Sequence, residues 1–334
     1  MRRHAPWMLL GTLLAAACGE TTAPTTPGAQ DPAASPVFAA PDEQGYLNSH
    51  IHVLPPKARN FDAHAARPGG KPGSGTGISW HGGPVLHTVN VVAIYWGTSS
   101  PMYPGGPAAG TSGAGTGDGS LIGTYLRGVG GSPYWLINTD YTDGTGRVGS
   151  AVAYTRFWAH NSNPGSAPSD QAITNEIIAG FTSGNLAYDA NTVYSVFTGP
   201  GVNLGGGFNT QYCAYHGDFT WNDNGTNRVV IYSAQPYNQG ASGCMAQTVG
   251  PNADPADPTV NTLAHEIEEA ATDPHLNAWW DSRGYENADK CAWTWGTLLT
   301  ASNGAKYNMT IGGKNFLIQQ NWLNRGSGGC ALHL

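Results

Sequence analysis

The segment from Asn261 to Pro274 constrains the fold most, because it carries charged groups into a helix that is otherwise apolar. Helical spacing places His265, Glu269 and Asp273 on one face, since they are four residues apart. The intervening positions are mainly leucine, isoleucine and alanine, which predicts a largely buried helix. Because unpaired charge is costly in a protein interior, the segment favours a shared partner for these side chains, such as a metal ion.

The run His265-Glu266-x-x-Glu269 resembles the active-site helix of zincins, with a glutamate in place of the second histidine. A catalytic zinc usually has three protein ligands, and a nearby carboxylate serves as general base. We therefore expect His265 and Glu269 to be ligands and Glu266 to be the base. In one zincin branch a glutamate on a later helix is the third ligand, and Glu286 lies at a comparable separation. The candidates for the third ligand are, in order of preference, Glu286, Asp273 and Asp289.

The proposed ligand set leaves the ion and the chemistry open. One histidine with two carboxylates is a harder set of ligand atoms than two histidines with one carboxylate. Calcium and manganese, which prefer hard oxygen ligands, are therefore alternatives to zinc. His216 lies beside a cysteine in Cys213-Ala-Tyr-His-Gly, and we treat it with Glu266 as a catalytic candidate. It could equally be a hydrogen-bonded loop histidine. The resulting hypothesis is a metal-dependent hydrolase, with a peptidase as the preferred class, acting on a peptide or a cell-wall polymer. A cell-surface binding protein with a structural calcium, or with no ion, is the alternative.

The N-terminal region is typical of an exported protein. A basic start and a short apolar run over residues 7–17 predict a signal peptide over residues 1–18. Cys18 follows three alanines, which resembles a lipobox, so a lipid at Cys18 would be the only membrane attachment. Residues 19–44 are rich in Thr, Pro, Ala and Gly and predict a flexible tether. Residues 45–334 are expected to form one domain.

The remaining four cysteines suggest two disulfides in an exported chain. Of the three pairings we favour Cys213–Cys244 and Cys291–Cys330, because each closes a local loop. No C-x-x-C spacing is present, which argues against a thiolate metal site. The net charge of −7, with only 15 Lys and Arg, argues against nucleic acid as a partner.

Hydrophobic patterns predict strands mixed with helices. Strands are expected over residues 85–95, 133–138, 148–158, 192–197 and 228–232, and a hairpin around Gly312-Gly313. Helices are expected over residues 120–129, 170–181 and 259–272. This mixture predicts an α/β or α+β domain with a mixed sheet and a zincin-like active-site helix.

Several motifs, in order along the chain, resemble one known family. The motifs are Trp80-His-Gly-Gly-Pro-Val-Leu86, Val91-Val-Ala-Ile-Tyr-Trp-Gly97, Tyr212-Cys-Ala-Tyr-His216, Ala264-His-Glu-Ile-Glu-Glu-Ala-Ala-Thr-Asp-Pro274, Asn277-Ala-Trp279, Glu286-Asn-Ala-Asp-Lys-Cys291, Lys306-Tyr-Asn308 and Gly313-Lys-Asn-Phe-Leu317. Together they resemble the phosphate-induced protein 1 family, whose plant members are called EXORDIUM. The resemblance runs from about residue 80 to residue 330.

The resemblance implies a secreted protein, since plant members are associated with the cell wall and growth control. It does not imply a particular reaction. Many plant members lack a His-Glu pair at the position of His265 and Glu266, whereas bacterial relatives keep it. This chain resembles the branch that keeps the pair.

Overall fold

A mixed sheet of seven strands forms the centre of the structure, a computed structural model that describes residues 51–57, 77–204 and 207–334. Its strands, in chain order, are β1 (Ile51–Leu54), β3 (Val89–Trp96), β4 (Thr111–Ala114), β5 (Val152–His160), β6 (Thr192–Thr198), β7 (Ala214–Asp223) and β8 (Thr226–Gln235). The short β2 (Ser79–Trp80) pairs outside this sheet with β9 (Trp279–Trp280). The expected signal peptide, Cys18 and tether lie outside the described residues.

The strand order in the sheet is β1-β7-β8-β6-β3-β5-β4. The four central strands β8, β6, β3 and β5 are parallel, while β7, β1 and β4 pair antiparallel at the two sides. The prediction of an α/β fold with a mixed sheet is therefore confirmed. β1 is an edge strand, so its position depends on its pairing with β7.

Three helices cover the two faces of the sheet: α1 (Leu121–Val129), α2 (Asp170–Thr182) and α3 (Asp257–Thr272). Alternate residues of β3 point to opposite faces, as strand geometry requires. Val91 and Ala93 pack in the core with α1 and α3, whereas Val92 and Ile94 pack in the core with α2. Burial on both faces explains the continuous apolar run of β3.

Helices α1 and α2 begin where the sequence predicts, whereas α3 begins at Asp257, two residues before the predicted start. The hydroxyl of Ser120 accepts a hydrogen bond from the amide of Gly123 at 3.0 Å, and that of Ser169 accepts one from Ala172 at 3.3 Å. Such caps satisfy amides that the first helical turn leaves without a partner. None of the helices in the described ranges is long and apolar enough to cross a bilayer.

The C-terminal region consists of short hairpins packed beside α3. Its strands are β10 (Leu299–Thr300), β11 (Lys306–Tyr307), β12 (Met309–Ile311), β13 (Lys314–Phe316), β14 (Asn321–Leu323) and β15 (Gly329–Ala331). The predicted hairpin is confirmed, because Gly312 and Gly313 join β12 to β13 with φ of 56° and 75°. Glycine is the residue that adopts these values without steric cost.

One predicted strand is wrong. The stretch assigned over residues 133–138 is instead a 3₁₀ helix, Trp135–Asp140, in the structure. The hydroxyl of Ser132 accepts from the amide of Trp135 at 3.1 Å, so a local side-chain contact begins the turn. The aromatic and β-branched composition suggested a strand, but here it reflects burial of Trp135 and Ile137 in the core.

Both predicted disulfides are confirmed: Cys213–Cys244 and Cys291–Cys330. They close loops with sequence separations of 31 and 39 residues. Restricting loops of this size in the unfolded chain contributes about 4 kcal/mol each in the chain-entropy description. Cys213 immediately precedes β7, and Cys291 ends the 3₁₀ turn Asp289–Cys291. The two bonds therefore fix two segments that surround α3.

Candidate metal centre

A cluster of histidines and carboxylates lies between helix α3, strands β1 and β7, and the turn Asp289–Cys291. His52 on β1 and His216 on β7 are directly paired across the two strands. Every member of the cluster is buried, with at most 4% of its surface exposed. The seven members are His52, His216, His265, Glu266, Glu269, Glu286 and Asp289.

Glu269 is the centre of this cluster. Its Oε1 lies 3.1 Å from Nε2 of His265 and accepts a hydrogen bond from the amide of Asp289 at 3.0 Å. Its Oε2 lies 3.5 Å from Nδ1 of His216 and 3.9 Å from Nε2 of His52. The two oxygens of one carboxylate therefore face different histidines.

Three sets of side chains have the spacing of metal ligands, and each contains Glu269. Within each set the ligand atoms lie within 4.8 Å of one another. For a tetrahedral zinc with bonds of about 2.1 Å, ligand atoms are roughly 3.4 Å apart, so the shorter contacts of the cluster have suitable lengths. The sets are His265, Glu269 and Asp289; His216, Glu266 and Glu269; and His52, Glu269 and Glu286.

Several buried polar atoms of the cluster have no hydrogen-bond partner in the protein. Buried polar atoms in proteins are nearly always paired, so a concentration of exceptions requires an explanation. Most of these atoms are carboxylate oxygens, which need a proton donor or a cation. The atoms are Nε2 of His216, Nε2 of His265, Oε1 of Glu266, Oε2 of Glu269, Oε2 of Glu286 and Oδ1 of Asp289. The donor set and its unpaired atoms suit a divalent cation.

His265 is oriented by Gln319. The amide Nε2 of Gln319 lies 2.9 Å from Nδ1 of His265 and donates to the carbonyl of Ala288 at 2.9 Å. The backbone of Gln319 is fixed in turn, because its amide donates to Oδ1 of Asn261 at 2.8 Å. Because the Gln319 amide is a donor, Nδ1 accepts, and the contact orients the ring so that Nε2, which carries the proton of the neutral ring, points towards the centre of the cluster.

Burial and mutual repulsion dominate the electrostatics of the carboxyl groups. Burial raises the pKa values of Glu266, Glu269 and Glu286 above the usual glutamate range, and neighbouring carboxylates add to the effect. Burial also raises the pKa of Asp289, but two adjacent histidines outweigh it, so this pKa lies below the usual range. The cluster thus holds more acid groups than it can keep ionised without a cation.

The histidines respond to the same surroundings in opposite ways. Burial lowers the pKa of His216 well below the ordinary value, and the charges of His52 and His265 lower it further. Burial also opposes charge on His265, but Glu269 and Asp289 outweigh it and hold the pKa well above the ordinary value. His216 is therefore neutral near pH 7, which is the form that binds metals.

The cationic partners of the cluster carboxylates are histidines in every ion pair that the described residues form. A histidine is charged only when it is protonated, and His216 is not. No lysine or arginine of the described ranges forms an ion pair with Glu266, Glu269, Glu286 or Asp289, although the charge of the neighbouring Lys290 acts on Asp289 from a greater distance.

The structure brings together six of the seven residues predicted from the sequence. Asp273 is the exception, because it ends α3 and lies outside the three ligand sets. Its Oδ1 accepts hydrogen bonds from the amides of Asn277 and Ala278 at 2.6 and 2.7 Å. Glu286 joins the set of His52, whereas Asp289 joins the set of His265.

His52 is the member that sequence reasoning missed. It lies in the four-residue strand β1, before the first of the family motifs at Trp80. Its Nε2 lies 2.6 Å from Oδ2 of Asp289, which is 237 residues later in the chain. The only local signal was a histidine between Ile51 and Val53, and this pattern is common in strands without any site.

Comparison with known sequences identifies the family of the chain. Comparisons with curated proteins and with solved structures find no match. Residues 131–331 match the phosphate-induced protein 1 conserved region. The matched region is more than half of the 334 residues and contains every member of the cluster except His52. The chain therefore belongs to the phosphate-induced protein 1 family.

Proposed function

We propose that this protein is an exported metalloprotein that binds a divalent transition-metal ion, with zinc as the leading ion, in the cluster around Glu269. The observation that carries this proposal is the set of buried, unpaired ligand atoms on three sides of Glu269. The three imidazoles favour zinc over calcium, which prefers six to eight oxygen ligands, and over manganese, which prefers carboxylates. The two disulfides support an oxidising, extracytoplasmic location.

The closed form of the cluster favours a structural role for the ion. Structural zinc sites have all positions filled by protein, whereas catalytic sites keep one position accessible. Here each cluster side chain is at most 4% exposed. A bound ion would link β1, β7, α3 and the turn at Asp289, which are far apart in sequence.

A metal-dependent hydrolase is the second candidate, and Glu266 is the observation that favours it. Its Oε2 lies 3.2 Å from Nδ1 of His216, and its Oε1 has no partner. A bound zinc supplies Lewis acidity and lowers the pKa of water. Glu266 would then accept the proton and His216 would stabilise the resulting charge. The substrate would be a peptide or a cell-wall polymer, and β1 or the turn at Asp289 would have to move to admit it.

The first test is the metal content of the secreted protein, purified without added metal and measured by mass spectrometry. We expect zinc or another transition metal in the wild type and a lower metal content in His265→Ala. His275→Ala is the matched control, because His275 pairs with Asp218 outside the cluster. Wild-type protein with no bound transition metal, and with no zinc uptake after chelator treatment, would contradict the proposal.

A second experiment separates the two candidate roles. Glu266→Gln keeps the size of the side chain but removes the base. A hydrolase would keep its zinc and lose turnover of a peptide or polysaccharide library, whereas a structural site would show no turnover in the wild type either. Retained hydrolysis in Glu266→Gln would exclude Glu266 as the base.

A further inference from the structure

We infer that the centre holds two divalent ions and that Glu269 bridges them, an inference that rests on the proposed metal binding. The starting observation is that all three ligand sets share this one carboxylate. If Glu269 bound one ion with both oxygens, Oε1 and Oε2 would face the same neighbouring ligands. Instead, Oε1 faces His265 and Oε2 faces His216.

The first ion position lies between His265, Glu269 and Asp289. Nε2 of His265 is 3.1 Å from Oε1 of Glu269 and 3.5 Å from Oδ1 of Asp289. Both the histidine nitrogen and the aspartate oxygen are buried without a hydrogen-bond partner. These distances match the roughly 3.4 Å between ligands of a tetrahedral ion.

The second position lies on the other side of Glu269. Nδ1 of His216 is 3.2 Å from Oε2 of Glu266 and 3.5 Å from Oε2 of Glu269. Glu286 and His52 border this position, since Oε2 of Glu286 lies 3.8 Å from Nε2 of His216 and Oε1 lies 3.4 Å from Nδ1 of His52. Oε2 of Glu269 and Oε2 of Glu286 have no partner.

Charge balance favours two ions over one. Glu266, Glu269, Glu286 and Asp289 together carry four negative charges when ionised, which equals the charge of two divalent cations beside neutral imidazoles. A single divalent ion would leave two negative charges in a fully buried cluster, which protons on the remaining carboxylates or histidines would then have to balance. Proteins that hold two ions about 3.5–4 Å apart commonly use shared carboxylates.

The test uses the full secreted protein, stripped with chelator and titrated with zinc alone. Native mass spectrometry and calorimetry are expected to show two zinc ions per chain. X-ray absorption at the zinc edge is expected to show a metal–metal distance of about 3.5 Å. This second readout needs no variant, so it does not depend on whether a variant folds.

Variants then assign the two positions. His265→Ala and His216→Ala should each bind one zinc, Glu269→Gln should lose the metal–metal distance, and His275→Ala should bind two zinc ions. One zinc in the wild type would overturn the bridged pair but leave the proposed metal binding standing. No zinc would overturn both. Two zinc ions without a short metal–metal distance would overturn the bridging role of Glu269.

Discussion

Asp118 and Glu269 are both fully buried carboxylates, but their surroundings differ in a way that separates structure from binding. The oxygens of Asp118 are satisfied within the protein. Oδ2 accepts from the hydroxyls of Tyr95 and Tyr154 at 2.5 and 2.7 Å, and Oδ1 accepts from the amide of Ser120 at 2.9 Å. Glu269 instead shares its space with three other carboxylates and keeps Oε2 without a partner.

The difference shows what a buried acid costs and what can offset that cost. A carboxylate with two or three neutral donors is stable in a protein interior and helps to fix its neighbours. A group of carboxylates with too few donors is stable only if a cation or extra protons are added. Asp118 is therefore satisfied by the protein itself, whereas Glu269 lies in a cluster whose charge calls for a cation or added protons.

Removing metal should have the largest effect. An ion at about 1,000 times its dissociation constant stabilises the native state by about 4 kcal/mol, so chelation should lower Tm by about 10 °C in a domain of this size. Calorimetry with and without EDTA measures the shift. Asp118→Asn should show the same EDTA shift from a lower starting Tm. If EDTA left the wild-type Tm unchanged, Glu269 would need no cation and would not differ from Asp118 in this respect.

Asp273 is intermediate between the two cases, because only one of its oxygens has partners. Burial raises its pKa to about 6, although backbone hydrogen bonds oppose the shift. The folded state therefore binds this proton more tightly than the unfolded state does, so the stabilisation is present below about pH 4 and is lost as pH rises through about 6. The loss is about 3 kcal/mol.

Urea unfolding between pH 4 and 7 in EDTA measures this pH-dependent contribution of Asp273 to stability. The unfolding free energy of the wild type, relative to Asp273→Asn, should fall by about 3 kcal/mol over that range. A constant difference between the two proteins would show that Asp273 is ionised throughout.

In the metal-free protein, neutralising Asp118 and neutralising Glu269 should change stability in opposite directions. Asp118→Asn replaces one acceptor oxygen by an amide group that faces either the two tyrosine hydroxyls or the amide of Ser120, and it should destabilise by about 2 kcal/mol. Glu269→Gln removes one crowded charge and should stabilise by about 1 kcal/mol in EDTA, while it destabilises in zinc. Chemical denaturation in EDTA and in zinc measures whether each variant has a higher or lower unfolding free energy than the wild type. Destabilisation by Glu269→Gln in EDTA would mean that the crowded charge is already neutralised by protons.

The smallest effect is expected on the far side of the sheet. Ser169→Ala removes the cap of α2, which packs in the core away from α3. The loss should be about 1 kcal/mol, with metal content and the EDTA shift unchanged. A change in metal content would mean that the two faces of the sheet are coupled.

The sequence predicted most of the central architecture because its patterns are local. The run of β3, the capped helices α1 and α2 and the glycine turn after β12 each depend on neighbouring residues. The strand β7 was missed, although Tyr215, Phe219 and Trp221 alternate with polar residues in the period of a strand. Its high polarity hid that period, because β7 carries site residues and an exposed end.

The candidate centre was predictable only where it lies within one helix. His265, Glu266 and Glu269 follow from helical spacing, and Glu286 and Asp289 followed as acids shortly after it. The role of His52 depends on strand pairing across more than 160 residues, which no local pattern encodes. Local pattern likewise could not show that Asp273 turns away to bind the backbone.

The pairing of β1 with β7 also decides when the centre can form. His52 is synthesised early, whereas Asp289, which it contacts, follows 237 residues later. The strand that carries His52, β1, is also held in place by β7, which is synthesised between the two. The candidate ligand set is therefore complete only when nearly the whole chain has been synthesised and folded. The metal ions that are abundant where folding ends, rather than where translation begins, would thus determine which ion the protein carries.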